Sequence, residues 1–176
     1  VGHFIEATGD FSNAVGRRNE ATGDFSSAFG SFNDATGDES SAFGYLTLSN
    51  VYGLMTVGRF NATPVGSATT WVNTDPVFVI GNGENSSNRS TALTILKNGN
   101  VGIGDQTPDE LLEVNGNVKA IKFIGDGSML TNLDGAVNNW TTYGEAPIIF
   151  GFNNTVAGDS SSAVGYSNRA VGFQSS

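Results

Sequence analysis

Three aspartates, Asp10, Asp24 and Asp38, each follow a glycine and stand fourteen residues apart. If that interval is one turn of a stacked fold, neighbouring carboxylates lie about 5 Å from one another and repel, and a bound calcium ion would relieve the repulsion, as in glycine-rich calcium-binding solenoids. Aspartate after glycine at an exposed corner is first of all a good turn residue, so the file reads as solvated turns, with a calcium site as the second reading. The other chemistry in the chain is sparse. His3 is the only histidine and falls in what reads as a turn, and Asp109, Glu110 and Glu113 are carboxylates with no partner acid in view. Acid–base or nucleophilic catalysis needs converging, dissimilar groups in one pocket, whereas a repeat supplies identical groups in a row. Thr8, Thr22 and Thr36 form a second polar file, too narrow for a flat binding face and broken at Ala157. The chain therefore reads as non-enzymatic and without a cofactor.

The elements that carry these files are set by small residues. Gly9, Ala14 and Gly16 recur as Gly23, Ala28 and Gly30 and then as Gly37, Ala42 and Gly44; Gly58 keeps the frame, and Gly158, Ala163 and Gly165 restore it near the far end. Fourteen residues are also two heptads, but each copy holds two glycines at about 1 kcal/mol apiece in a helix, with no leucine or isoleucine seam to compensate. A β-solenoid fits better. Coils climb about 4.8 Å each, and fourteen residues suffice for a flat loop of two short strands with glycines permitting positive φ at the corners. The strand S-x-A-[VF]-G is apolar or small on both faces and so expects burial on both. Val15, Phe29 and Phe43 are expected against the partner strand of their own coil, and Ala14, Ala28 and Ala42 against other copies of the chain around a symmetry axis.

Composition agrees with an elongated, repetitive object. The chain has 176 residues, 24 of them glycine, and no cysteine, which excludes disulfides and thiolate metal sites. A formal charge of -9 leaves no electrostatic footprint for nucleic acid or an anionic membrane. No run reaches the roughly 18 apolar residues that a spanning helix needs. The sequence starts and stops inside a repeat, so it reads as a segment of something longer.

The repeat, with A-x-G-x-x-S between copies of S-x-A-x-G, resembles the YadA-like head of trimeric autotransporter adhesins, over residues 1–60 and about 154–176. The resemblance implies a left-handed parallel β-roll and a homotrimer. Between the arrays, short strands are predicted over Val77 to Ile80, Ala92 to Leu96 and Val101 to Ile103, with a hairpin or corner turn at Lys97 to Asn100 and a further strand over Leu111 to Val114. The N-V-G-I-G of Asn100 to Gly104, the L-E-V-N-G-N-V of Leu112 to Val118 and the F-I-G-D-G-S-x-L-T-N-L of Phe123 to Leu133 resemble segments of bacteriophage tail fibres and large bacterial surface proteins. Together these readings give an all-β chain: head repeats over 1–60, an intertwined β-rich trimeric connector over 61–150 holding Trp71 and Trp140 as interface anchors, and a second roll from 151 to 176. The expected function is an extracellular fibre segment, on a cell surface or a virion tail, that mediates or projects attachment to a host glycan or protein receptor. The alternative is a tail fibre or tailspike segment that binds or hydrolyses glycans.

Overall fold

A computed structural model describes residues 2–122, 124, 148–152, 155–157, 162–167 and 169–171 of the chain. Trp140, Gly158 and most of the Phe123 to Leu133 motif lie outside the described residues. The chain divides into two compact units, Val1–Ala120 and Ile121–Ser176. Every regular element among the described residues is a strand, and the architecture is the predicted all-β solenoid.

In the first unit two-residue and five-residue strands alternate: β1 Gly2–His3, β2 Glu6–Ala7, β3 Asn13–Arg17, β4 Glu20–Ala21, β5 Ser27–Ser31, β6 Asp34–Ala35, β7 Ser41–Tyr45, β8 Leu48–Ser49 and β9 Met55–Arg59. Four more follow: β10 Pro76–Asn82, β11 Thr91–Leu96, β12 Val101–Ile103 and β13 Leu112–Val114. The second unit contributes β14 Ile148–Phe152, β15 Thr155–Ala157, β16 Ser162–Tyr166 and β17 Arg169–Val171. In the repeats the odd strands stack in parallel, and the even ones form their own four-stranded parallel sheet, β2-β4-β6-β8. Register is strict. Ala14 pairs with Ala28 and Ala28 with Ala42, while Val15, Phe29 and Phe43 are aligned beside them.

The middle segment does not start a new sheet. β10 pairs in parallel with β9, aligning Ile80 with Val57 and Gly81 with Gly58, so that one nine-stranded sheet runs β1-β3-β5-β7-β9-β10-β11-β12-β13. β10, β11 and β12 are antiparallel neighbours, and Gly99 (φ +96°) turns the predicted hairpin between β11 and β12. The expected boundary near residue 60 thus falls between two directly paired strands. In the second unit β14 pairs with β16 at the same fourteen-residue offset, Ile149 on Ala163 and Gly151 on Gly165, and β15 pairs with β17.

The core is the space between the two sheets, and it is shallow. Ala14, Ala21, Ala28, Ala35 and Ala42 fill it as one cluster, with Ser26, Ser40 and Ser49 buried alongside. At the end of the array larger residues take over, and Val51, Leu54 and Val79 form a second cluster.

The corners depart from expectation. Gly16, Gly30 and Gly44 do adopt φ between +119° and +136°. The two left-handed corners of each coil, however, belong to other residues: Phe4, Arg18, Phe32, Leu46 and Phe60 at one, and Phe11, Phe25 and Glu39 at the other, with φ from +44° to +58°. That conformation costs about 1–2 kcal/mol for a residue with a side chain. It is held by stacking: the N–H of Phe32 donates to Arg17 O (2.8 Å), and those of Phe25 and Glu39 donate to Asp10 O and Asp24 O (2.7 Å each), always one coil back. Gly23, by contrast, has no unusual φ. It is glycine because a Cβ there would run into the carbonyl of Gly37 on the next coil.

These two glycine roles separate in a melting experiment. Gly53 is left-handed (φ +64°) with nothing within 4 Å of a built Cβ, so Gly53→Ala is expected to cost about 1 kcal/mol. Gly23→Ala forces coils apart and is expected to cost about 3 kcal/mol or more. Equal melting temperatures for the two variants would contradict the stacking account.

Candidate functional site

An extended apolar surface of the first unit is the outward face of its nine-stranded sheet. Side chains alternate across a strand, so when Ala28 points inward its neighbours Ser27, Phe29 and Ser31 point outward. The same parity carries down the sheet. One outward column is Val15, Phe29, Phe43, Val57, Ile80, Leu93, Ile103 and Val114; beside it runs Met55, Phe78, Ile95, Val101 and Leu112. None of these residues is buried by its own chain, and Ile103 and Leu112 are well exposed. The rings of Phe29 and Phe43 stack at 5.1 Å, within 4° of parallel.

This reverses the expected assignment of the two faces. Ala14, Ala28 and Ala42 are not at a surface where copies of the chain could meet: Ala28 and Ala42 have no exposed area and pack on Ala21 and Ala35 of their own coil. The reason is thickness. A flat coil leaves room between its sheets for methyl groups and hydroxyls only, so the bulky member of each A-[VF] pair is turned outward.

The carboxylate files behave differently from one another. At the Asp10, Asp24 and Asp38 corner, the N–H of Asp10 donates to the Asp24 carboxylate (2.9 Å) and the N–H of Asp24 to that of Asp38 (3.0 Å). Each of the two accepting carboxylates therefore already caps a backbone donor of the coil before it. No grouping of three or more His, Cys, Asp or Glu able to hold a metal occurs among the described residues. A second file, unnoticed in the sequence, is Glu6, Glu20 and Asp34, aligned strand over strand in the smaller sheet. Burial foremost, and then the charge of Glu20, push the Asp34 carboxyl above its ordinary range, while Arg89 pulls it partly back. Arg18 lies next to this file between the rings of Phe4 and Phe32, 5.3 and 5.4 Å from their centroids.

The strongest polar feature is also one that the sequence reading missed. Asn19, Asn33 and Asn61 are fully buried, with Thr47 filling the same position between them. The Asn33 amide donates to Phe29 O (2.8 Å) and Gly44 O (2.9 Å), and its side-chain oxygen accepts from Thr47 N (3.0 Å) and Thr47 Oγ1 (2.7 Å). Asn19 does the same one coil back, accepting from Asn33 N at 3.0 Å. The signal was a fourteen-residue recurrence, but in a chain rich in asparagine it was not separable from loop composition.

Other sequence candidates stay apart. His3 lies in the short strand β1 rather than in a turn, exposed and edge-on to Phe4 at 4.0 Å. Trp71 is exposed, donates Nε1–H to Asn73 Oδ1 (2.9 Å), and has the Lys97 ammonium 4.9 Å from its ring centre. Glu113 accepts from Asp109 N (3.2 Å), so these carboxylates do meet, but in the open. The backbone contact of Asp109 lowers the Glu113 pKa, and the side chain of Asp109, with desolvation and Asp105, outweighs that and raises it.

Residues 7–33 match the YadA head domain repeat in two copies. That stretch contains β3, β4, β5 and the first alanines of the lumen. No curated protein and no solved structure matches the chain.

The Asp34 environment has a measurable consequence. A carboxyl whose folded pKa is raised favours the folded state when protonated; that contribution is complete below the ordinary carboxylate value and is lost as pH rises through the raised one. Melting temperature is therefore expected to gain an Asp34-dependent increment between neutrality and about pH 4. Asp34→Asn should shrink that gain and raise the melting temperature at neutrality. The same pH dependence in both proteins would show that the carboxyl is not strained in the fold.

Proposed function

We propose that this chain is a non-enzymatic segment of a homotrimeric adhesive fibre that stands outside the cell, on a cell surface or a virion, and holds or projects a host-binding region. The observation that carries this reading is the unbroken apolar file on the outward face of the nine-stranded sheet, from Val15 to Val114. The YadA head repeat match points the same way, since heads of that type are trimeric adhesive fibres.

Each fully repetitive coil buries chiefly alanine and serine in its lumen, and the phenylalanines that would enlarge its apolar core point out of the coil. Three copies packed on this face would bury their Val15, Phe29 and Phe43 files together. β10–β13 lengthen the same face in the span read from sequence as a connector, so they would join the trimer contact rather than form a separate receptor domain.

Native mass spectrometry tests this. The chain is expected to be trimeric, and Phe29→Glu, which places three carboxylates in the contact, is expected to abolish the trimer; Thr22→Glu, on an exposed corner of the other sheet, should leave it intact. A Phe29→Glu protein that stays trimeric with unchanged melting would overturn the reading.

A further inference from the structure

The coils turn along two long rims, and the rims differ in chemistry. One holds the corner residues Phe11, Phe25 and Glu39, each directly preceded by an aspartate. Phe11 and Phe25 are 85% and 60% exposed, with their rings stacked at 5.2 Å. An open aromatic pair beside carboxylates offers a cation both a ring face and a counter-charge. The opposite rim holds every arginine and lysine of residues 1–60, namely Arg17, Arg18 and Arg59.

The three arginines are not equally placed. Arg18 lies over the Phe4 and Phe32 rings beside the Glu6, Glu20 and Asp34 file, and Arg59 donates Nη2–H to Glu84 O at 2.6 Å. Arg17 ends β3 and is exposed. Two residues beyond Val15, it shares the outward face of the wide sheet, and its guanidinium stands 5.4 Å from the Phe32 ring centre.

A three-fold rotation joins unlike surfaces: the patch that one copy offers on its left is met by a different patch on the right of the next. Flat sheets facing a common axis therefore set the arginine rim of each copy beside the aspartate rim of its neighbour. Rotation about a fibre axis also leaves height unchanged. Along the chain the Arg17 corner falls between the Asp10 and Phe11 corner and the Asp24 and Phe25 corner, so Arg17 of one copy stands level with the ring pair of the next. We propose that the Arg17 guanidinium of each copy packs on the Phe11 and Phe25 rings of the neighbouring copy, beside its Asp10 and Asp24 carboxylates. This contact rests on the trimeric reading and adds to it the rim that sets which side of one copy meets which side of the next.

Crosslinking of the full chain tests the contact. Phe11→Cys and Arg17→Cys are combined in one chain, which has no other cysteine, and treated with bismaleimidoethane. The two positions lie roughly 20 Å apart across β3, beyond the reach of that reagent within one copy. Each copy is expected to be linked to both neighbours, so denaturing electrophoresis shows covalent trimer, while either single variant gives monomer. In a dilution series followed by native mass spectrometry, Arg17→Glu is expected to weaken the trimer about tenfold or more, and Asp10→Lys added to it to recover most of that loss. A parent that is trimeric while the double-cysteine variant yields no covalent trimer and Arg17→Glu assembles as tightly as the parent overturns the rim contact and leaves the apolar-face trimer standing. A parent that is monomeric throughout the dilution series overturns both.

Discussion

Each coil of the head repeats rests on a copy of itself about 4.8 Å away, so every residue must tolerate its own kind directly above and below. Most of the structure follows from that one requirement. Glycine is needed where a Cβ would strike the next coil, as at Gly23 against Gly37. Asparagine succeeds in the buried corner because its amide can donate to two carbonyls while its oxygen accepts from the next coil, as Asn33 does. Phenylalanine stacks on phenylalanine, Phe11 on Phe25 at 5.2 Å and Phe29 on Phe43 at 5.1 Å. Even aspartate complies, because the Asp24 carboxylate finds the N–H of Asp10 before it meets the carboxylate of Asp38.

The same requirement divides the coil into an inside and an outside of unequal value. Self-stacking in a fourteen-residue loop keeps the lumen flat, and a flat lumen accepts alanine and serine but not a ring. The apolar bulk that an ordinary domain would place in its core is thereby displaced to the outer face of one sheet. A fold of this kind makes a strong backbone lattice and a weak core, and it leaves an apolar face open on the outside of its larger sheet. Where the repeat degenerates, larger residues enter: Val51 and Leu54 fill the lumen and meet Val79 of β10, and the antiparallel strands that follow inherit the outward file without a break.

The period, the parallel strands and the turn at Lys97 to Asn100 were legible because each depends on residues close in sequence. β12 lies at Val101–Ile103 as read, and β10, β11 and β13 lie within a residue or two of their predicted bounds. The direction of the faces was not legible. Ala28 and Phe29 are adjacent, a strand apolar or small on both faces gives no polar marker, and only the thickness of the finished coil decides which residue fits inside. Nor could the sequence show that Phe11 and Phe25 would hold left-handed corners, since the hydrogen bonds that offset this cost come from the coil before. The asparagine ladder and the Glu6, Glu20, Asp34 file share that origin: both are created by stacking, and neither is a local motif.

Because the chain has no cysteine, single cysteines report directly on which face is covered by other copies. The decisive measurement is oxidation of Phe29→Cys, followed by denaturing electrophoresis without reductant. If the outward apolar file is where three chains meet, two of three thiols pair at the axis, and the gel shows covalent dimer together with monomer, while Thr22→Cys gives monomer alone. A Phe29→Cys protein that remains monomeric on the gel, with every thiol open to alkylation in the assembled state, would contradict the account.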